Sequence, residues 1–314
     1  MQKQKSNWKR RVKRLSLFLC VATTLLVYVT FNRFHFSTQT PWPLSQLQWN
    51  YQPNFSFEGV PPQVIGHRGS GIRSLNGDLI IGNTYNAIDQ GITAGVDWVE
   101  IDVRVSGGPN PELVVFHDET IDAKTTGEGE VSDLHLAELK DVFVNLKQPE
   151  RILTLDEVFA EFHGKHERWI FDIKVEEIHH QVLEWLDHKI KNKELSIDRV
   201  IIFGTYDVLK DYKESVYSLG YTAIWGKFWN RPRVLFNPSQ IINRCQCLEC
   251  EYLVLPVIFA SGSLINSAKM AGVDVWVYGI EDRRDFDYLA QRGVSGFIVD
   301  FPENIIGQSN EEAD

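Results

Sequence analysis

The chain has 314 residues, 43% of them hydrophobic and 24% charged, with a formal net charge of −10. That is enough apolar material for one large globular domain of about 250 residues plus an appendage, and it excludes disorder as the main state. The first fourteen residues hold seven cations and no acid, so the rest of the chain carries 25 basic against 42 acidic residues, a balance that excludes nucleic acid as a bulk ligand.

The basic head, residues 1–14, is followed by Leu15 to Phe31, seventeen residues without a charge between Arg14 and Arg33. As a helix this stretch is about 26 Å long, just sufficient to span a bilayer. A cleavable signal peptide is the rival reading, but residues 28–40 contain no good small-x-small site; a buried soluble helix is the other. The cations predict a single-pass anchor with its N-terminus in the cytoplasm and the acidic body outside. Residues 32–62, rich in Pro, Gln, Ser, Asn and aromatics and without a sustained period, read as a linker.

From residue 63 to 304, short β-branched runs alternate with amphipathic helical stretches. The candidate strands are Val64–His67, Trp98–Val105, Leu113–His117, Trp169–Val175, Val200–Gly204, Thr222–Trp225, Tyr252–Leu255, Val275–Tyr278 and Gly296–Val299. Helical patterns fall at Asn83–Ala94, Leu153–Phe162, His179–Lys193, Ser263–Ala271 and Arg284–Arg292. This alternation predicts an α/β fold with a parallel sheet covered by helices, either a closed (β/α)8 TIM barrel or an open doubly wound sheet. The first strand is not followed by Gly-x-Gly-x-x-Gly, and polar residues sit at the carboxyl ends of the first four strands, so the barrel is preferred. Nine strands are one too many for it; Thr222–Trp225 or Tyr252–Leu255 is taken as the extra one. Cys245, Cys247 and Cys250 lack a nearby fourth zinc ligand and are read as one local disulfide plus a spare thiol, or as three reduced cysteines. Residues 305–314 read as an acidic tail.

The chemistry gathers at the strand ends: His67 and Arg68 on the first, Glu100 and Asp102 on the second, His117 and Asp118 on the third, Asp172 and Lys174 on the fourth. Residues two apart on a strand share a face, so Glu100 and Asp102 project together, as do Asp172 and Lys174. Three carboxylates converging on a barrel mouth need a cation among them, and oxygen donors favour a hard one, Mg²⁺ or Ca²⁺. Each residue alone is unremarkable, since a single strand-end His is commonly a structural hydrogen-bonder; the joint pattern is the signal. His163, His166, His179, His180 and His188 lie in charge-rich helical stretches and read as surface.

Val64-Ile65-Gly66-His67-Arg68-Gly69, Asn83-Thr84, Gly95 to Val103 and Val114 to Asp118 resemble, in order and spacing, the signatures of the glycerophosphodiester phosphodiesterase family. The likeness continues through Thr125, Gly127, Gly129 and Leu134 to Leu139, and returns at Gly293 to Pro302. The resemblance implies a TIM barrel that hydrolyses phosphodiesters with a divalent cation. It makes His67 and His117 the acid/base pair and Glu100 and Asp102 metal ligands, with Asp172 in the place of a family carboxylate and Arg68 and Lys174 toward phosphate. The substrate it implies is a small-molecule or lysolipid phosphodiester.

Several positions depart from the family pattern: Ile81-Gly82 precede Asn83, Asp172-Ile173-Lys174 stands for Glu-x-Lys, Ala123-Lys124 for an arginine, and Tyr278-Gly279-Ile280-Glu281 for Trp-Thr-Val-Asn. The shorter Asp172 resembles the sphingomyelinase D branch of the superfamily. The first expectation is therefore a membrane-anchored glycerophosphodiester hydrolase. Its alternatives are a lysophospholipase D or sphingomyelinase D-like enzyme and a non-catalytic binding barrel.

Overall fold

The computed structural model describes residues 61–71, 73–75, 78–144, 149–223 and 238–307. The expected head, the expected membrane span, all but the end of the expected linker and residues 308–314 lie outside the described residues. Among those described, no helix is long and apolar enough to cross a membrane.

Eight parallel strands close on themselves: β1 (Gln63–Gly66), β4 (Trp98–Val105), β7 (Trp169–Ile173), β8 (Val200–Gly204), β9 (Ser218–Thr222), β10 (Tyr252–Pro256), β11 (Asp274–Tyr278) and β12 (Val294–Val299). β1 pairs with β12 on one side and β4 on the other, which completes the ring. The short pairs β2 (Arg73–Leu75) with β3 (Asp78–Ile80), and β5 (Leu113–Val115) with β6 (Leu153–Thr154), lie outside it. The main helices are α1 (Tyr85–Ala94), α2 (Leu136–Asp141), α3 (Leu155–Phe162), α4 (His179–Lys191), α5 (Tyr206–Leu209), α6 (Pro238–Cys247), α7 (Gly262–Met270), α8 (Arg283–Ala290) and α9 (Pro302–Ile306).

The ninth candidate strand is resolved against expectation. Tyr252–Leu255 is a true barrel strand, and the barrel strand near Thr222 lies earlier, at Ser218–Thr222. The extra one is Leu113–Val115, which runs antiparallel to the end of β4 and leaves the ring. Its run of Leu, Val and Val is as buried as a barrel strand because both faces are covered: Leu113 and Val115 join the main core, while Val114 packs in a separate cluster with Phe116, Ile121, Leu139 and Ile152. The last helix carries the packed body to Ile306, two residues into the expected tail, with Ile305 fully buried.

Strand alternation divides the apolar residues between two cores. Ile65, Trp98, Ile170, Ile201, Phe203, Val254, Trp276 and Ile298 form one cluster, while the odd-facing neighbours Val99, Ile101, Phe171, Ile202 and Leu253 join the larger core with the helices. The barrel interior is narrow, so bulk on one strand requires space on the next. A Cβ at Gly220 would meet the Phe203 ring at 2.3 Å, and one at Gly296 would meet Trp276 at 2.5 Å. Helix starts are set by local chemistry: Thr84 caps Ala87 N on α1, and Thr154 with Glu157 forms a reciprocal capping box on α3.

Candidate active site

The site is built at the carboxyl ends of β1, β4 and β7. β1 ends in a turn in which Gly69 N donates to Gly66 O and to Glu100 O, each at 3.2 Å, and His67 N donates to Val299 O at 3.0 Å. Gly69 has φ +90°, and a Cβ there would lie 2.5 Å from the Ala87 backbone, so only glycine lets α1 pack against the turn. The turn also holds Arg68 at φ +53°, with its amide donating to Glu100 Oε2 at 2.8 Å.

Register brings the carboxylates together. β4 and β7 pair in parallel with Asp102 opposite Asp172 and Glu100 opposite Ile170, so Glu100, Asp102 and Asp172 project from one face. All three are buried, and a ligand oxygen from each lies within 4.8 Å of the others. Among the described residues this is the one group of three or more His, Cys, Asp or Glu donors that converges in this way.

Cations surround Asp102. Arg68 Nε lies 3.0 Å from its Oδ2 and Lys174 Nζ 2.8 Å from its Oδ1; Lys174 also donates to Asp172 Oδ2 at 2.5 Å. Asn83 grips the same residue at both ends, Nδ2 donating to Asp102 Oδ2 at 2.6 Å and Oδ1 accepting from Asp102 N at 3.1 Å. Asn83 does this from φ +67°, one residue before the Thr84 cap, so it is not the first helical residue that the sequence pattern indicated.

Burial alone would raise the Asp102 carboxyl, but the Lys174 and Arg68 charges outweigh it and hold it well below the usual range. Glu100 goes the other way: burial first, then the Asp102 charge, push it up to about 7. Burial would lower Lys174, yet the carboxylates of Asp102, Asp172 and Glu100 hold it well above the ordinary lysine value. On the same rim, burial and then the Asp172 charge push Tyr278 up to about 12.

A divalent cation fits this donor set. Two oxygens bound to one ion at up to about 2.6 Å each can be about 5.2 Å apart, more than the separation found. Asp102 Oδ1 is buried and, outside its ion pair with Lys174, has no aligned hydrogen bond. Among the described residues the Glu100 carboxylate has only the Arg68 amide as its hydrogen-bond partner, and its raised pKa marks a carboxylate short of positive charge.

The two imidazoles flank the carboxylates, each held by an acid. His67 Nδ1 is 2.6 Å from Asp300 Oδ1, just past the end of β12. His117 Nδ1 is 2.5 Å from Asp118 Oδ1, and Asp118 is paired with Lys124 at 2.9 Å. His117 reaches the mouth because β5 folds back from β4: Phe116 N donates to Asp102 O at 3.1 Å, and Arg104 Nε donates to His117 O at 3.0 Å. Burial lowers the His117 pKa. Burial would raise Asp118 and Asp300, but their histidine hydrogen bonds overcome it and hold both low.

All seven residues given site roles from the sequence thus lie around this mouth, with two differences. His117 arrives from the hairpin rather than from a third barrel strand. Arg68 and Lys174, expected to face phosphate, point their charges at Asp102. Asn83, Arg104 and Asp300 were not given site roles from sequence; Asp300 had a signal, a lone acid directly after an apolar strand. His163, His180 and His188 are exposed, while burial lowers the partly covered His166. Cys245, Cys247 and Cys250 are free thiols.

The sequence model of the glycerophosphoryl diester phosphodiesterase family matches residues 67–304. A glycerophosphodiester phosphodiesterase of Caldanaerobacter subterraneus is 30% identical over 77% of this chain and 96% of its own length. The fold is similar to that of an Oleispira antarctica phosphodiesterase solved with the product sn-glycerol-3-phosphate, with a TM-score of 0.63, 25% identity, and coverage of 78% of this chain and 95% of that one. A glycerophosphodiester phosphodiesterase from Thermotoga maritima shares the fold at a TM-score of 0.60 and 24% identity, over 78% of this chain and 97% of its own.

Proposed function

The chain belongs to the glycerophosphoryl diester phosphodiesterase family, and from that premise we propose that it hydrolyses glycerophosphodiesters to an alcohol and glycerol phosphate with a divalent cation, Mg²⁺ or Ca²⁺. One observation carries the reading: three buried carboxylates converge within 4.8 Å between two histidines that are each held by an acid. Glu100, Asp102 and Asp172 would hold the cation, which would supply positive charge to the phosphodiester and its attacking group. Arg68 and Lys174, which lie beside these carboxylates, would face phosphate oxygens. His67 and His117 form the acid/base pair. With Nδ1 given to a carboxylate, each ring presents Nε2 to the substrate, one to take a proton from the attacking hydroxyl and the other to return one to the departing alkoxide.

The N-terminal segment completes the proposal. Leu15 to Phe31 anchors the chain in a membrane, with residues 1–14 cytoplasmic and the barrel outside the cytoplasm, supported by the uncharged stretch and the cations before it. Full-length protein released by carbonate washing would refute the anchor.

The decisive assay takes metal-stripped protein, restores Mg²⁺ or Ca²⁺, and offers glycerophosphocholine, glycerophosphoethanolamine and lysophosphatidylcholine. Cation-dependent release of glycerol phosphate from the first two is expected. Turnover of lysophosphatidylcholine alone, or of nothing under any cation, would refute the reading.

A further inference from the structure

At the end of the barrel opposite the mouth, α6 leads through a four-residue turn into β10, and this turn carries the cysteines the catalytic reading leaves unused. The helix ends in a Schellman motif. Cys250 N donates to Cys245 O at 2.9 Å, Glu249 N donates to Gln246 O at 3.1 Å, and Glu249 sits in the left-handed region at φ +58°. That motif brings the side chains at its two ends, three residues before the cap and two after it, into contact; apolar residues normally take these places. Here both are cysteines. Cys245 and Cys250 are buried at 0% and 5% exposure, and the Cys245 thiol donates toward Cys250 O at 3.6 Å and Tyr252 O at 3.7 Å.

We propose that Cys245 and Cys250 are a disulfide-forming site that closes the end of α6, with Cys247 remaining a free, exposed thiol. The backbone bond sets the reach. With N–Cα of about 1.46 Å and about 2.4 Å from a carbonyl oxygen to its own Cα, a 2.9 Å hydrogen bond keeps the two Cα atoms no more than about 6.8 Å apart, inside the range disulfides span. Cys247 lies two residues after Cys245 on the helix, a spacing that does not bring side chains together, and it is exposed. Metal binding is not the competing use, because the three thiols do not converge as donors with any fourth group among the described residues.

The chemistry takes two thiols to one disulfide, with loss of two protons and two electrons. The electrons go to an external disulfide of the glutathione class, whose S–S bond breaks to give two thiols. The cross-link removes freedom from a short loop of the unfolded chain and holds Glu249 in a backbone conformation that a non-glycine residue adopts at a cost.

The full-length protein, equilibrated in mixtures of reduced and oxidised glutathione, acid-quenched, then alkylated in denaturant and mapped by peptide mass, tests the site. The chain has four cysteines. Oxidation should lower the alkylatable thiols from four to two and leave a Cys245–Cys250 cross-link, with Cys247 alkylated. Cys247→Ser should form the same link; Cys250→Ser should not. The oxidised protein should melt at a higher temperature than the reduced one with phosphodiester turnover unchanged, since the turn is remote from the mouth. Four reactive thiols after oxidation, or a cross-link that includes Cys247, would overturn the proposal.

Discussion

Asp300 is the residue whose replacement best separates positioning from mere support. It lies 233 positions from His67 in sequence and 2.6 Å from it in space. Asp300→Ala removes one charge-assisted hydrogen bond, worth about 1.5 to 3 kcal/mol in general. The His67 side chain is 26% exposed and that of Asp300 44%, so water replaces part of the bond and the lower figure is the relevant one. At about 1.4 kcal/mol per factor of ten, Asp300→Ala should lower kcat by at most about tenfold. Asp300→Asn should do worse despite keeping the shape. The Arg68 charge, which helps hold Asp300 ionised, draws the amide oxygen toward itself and turns the amide NH₂ toward Nδ1. An imidazole that accepts at Nδ1 carries its proton on Nε2 and has no lone pair there to take another, so a loss of about 10²- to 10⁴-fold is expected. The assay is kcat and kcat/KM for glycerophosphocholine across about pH 5 to 9 at saturating cation, with melting curves showing both variants folded. Equal losses in Ala and Asn, or wild-type rates in both, would refute the reasoning.

Two further expectations rest on other contacts. Asn83→Ala takes both hydrogen bonds from the buried Asp102, and it should weaken the activating cation by about 10- to 100-fold, as outer-shell replacements do; a titration of activity against Mg²⁺ that is unchanged would contradict it. Burial and then the Asp282 charge raise Asp285, in the first turn of α8, to about 7, above its ordinary value of 3.8. The folded protein therefore holds this proton more tightly than the unfolded chain, and the stability it contributes is fully present below pH 3.8 and lost as pH rises through about 7. Asp285→Asn should raise the melting temperature above pH 7 by about 2 to 4 °C, the shift of one kcal/mol in a domain of this size, and leave it unchanged near pH 4. A melting difference that does not vary with pH would refute the assignment.

Much of the site was legible along the chain because its signals are local. Glu100 and Asp102 share a face through a two-residue period that holds wherever the strand lies, and strand-helix alternation is enough to indicate a parallel sheet covered by helices. Orientation is not local. Leu113–Val115 has the same apolar run as a barrel strand, and only its antiparallel pairing with β4 removes it from the ring. The same hairpin decides how His117 reaches the mouth. Register is not local either: Asp102 stands opposite Asp172 because β4 pairs with β7 at that offset, and Asp300 meets His67 because the ring closes between β12 and β1. Charge state depends on both. Glu100 and Asp102 are two residues apart on one strand, yet one is pushed up and the other held down, because the Lys174 ammonium and Arg68 guanidinium reach Asp102 while Glu100 receives one backbone amide. Side-chain periodicity is a property of the backbone and can be read from sequence; the field at a buried carboxylate is a sum over groups that only folding brings near it.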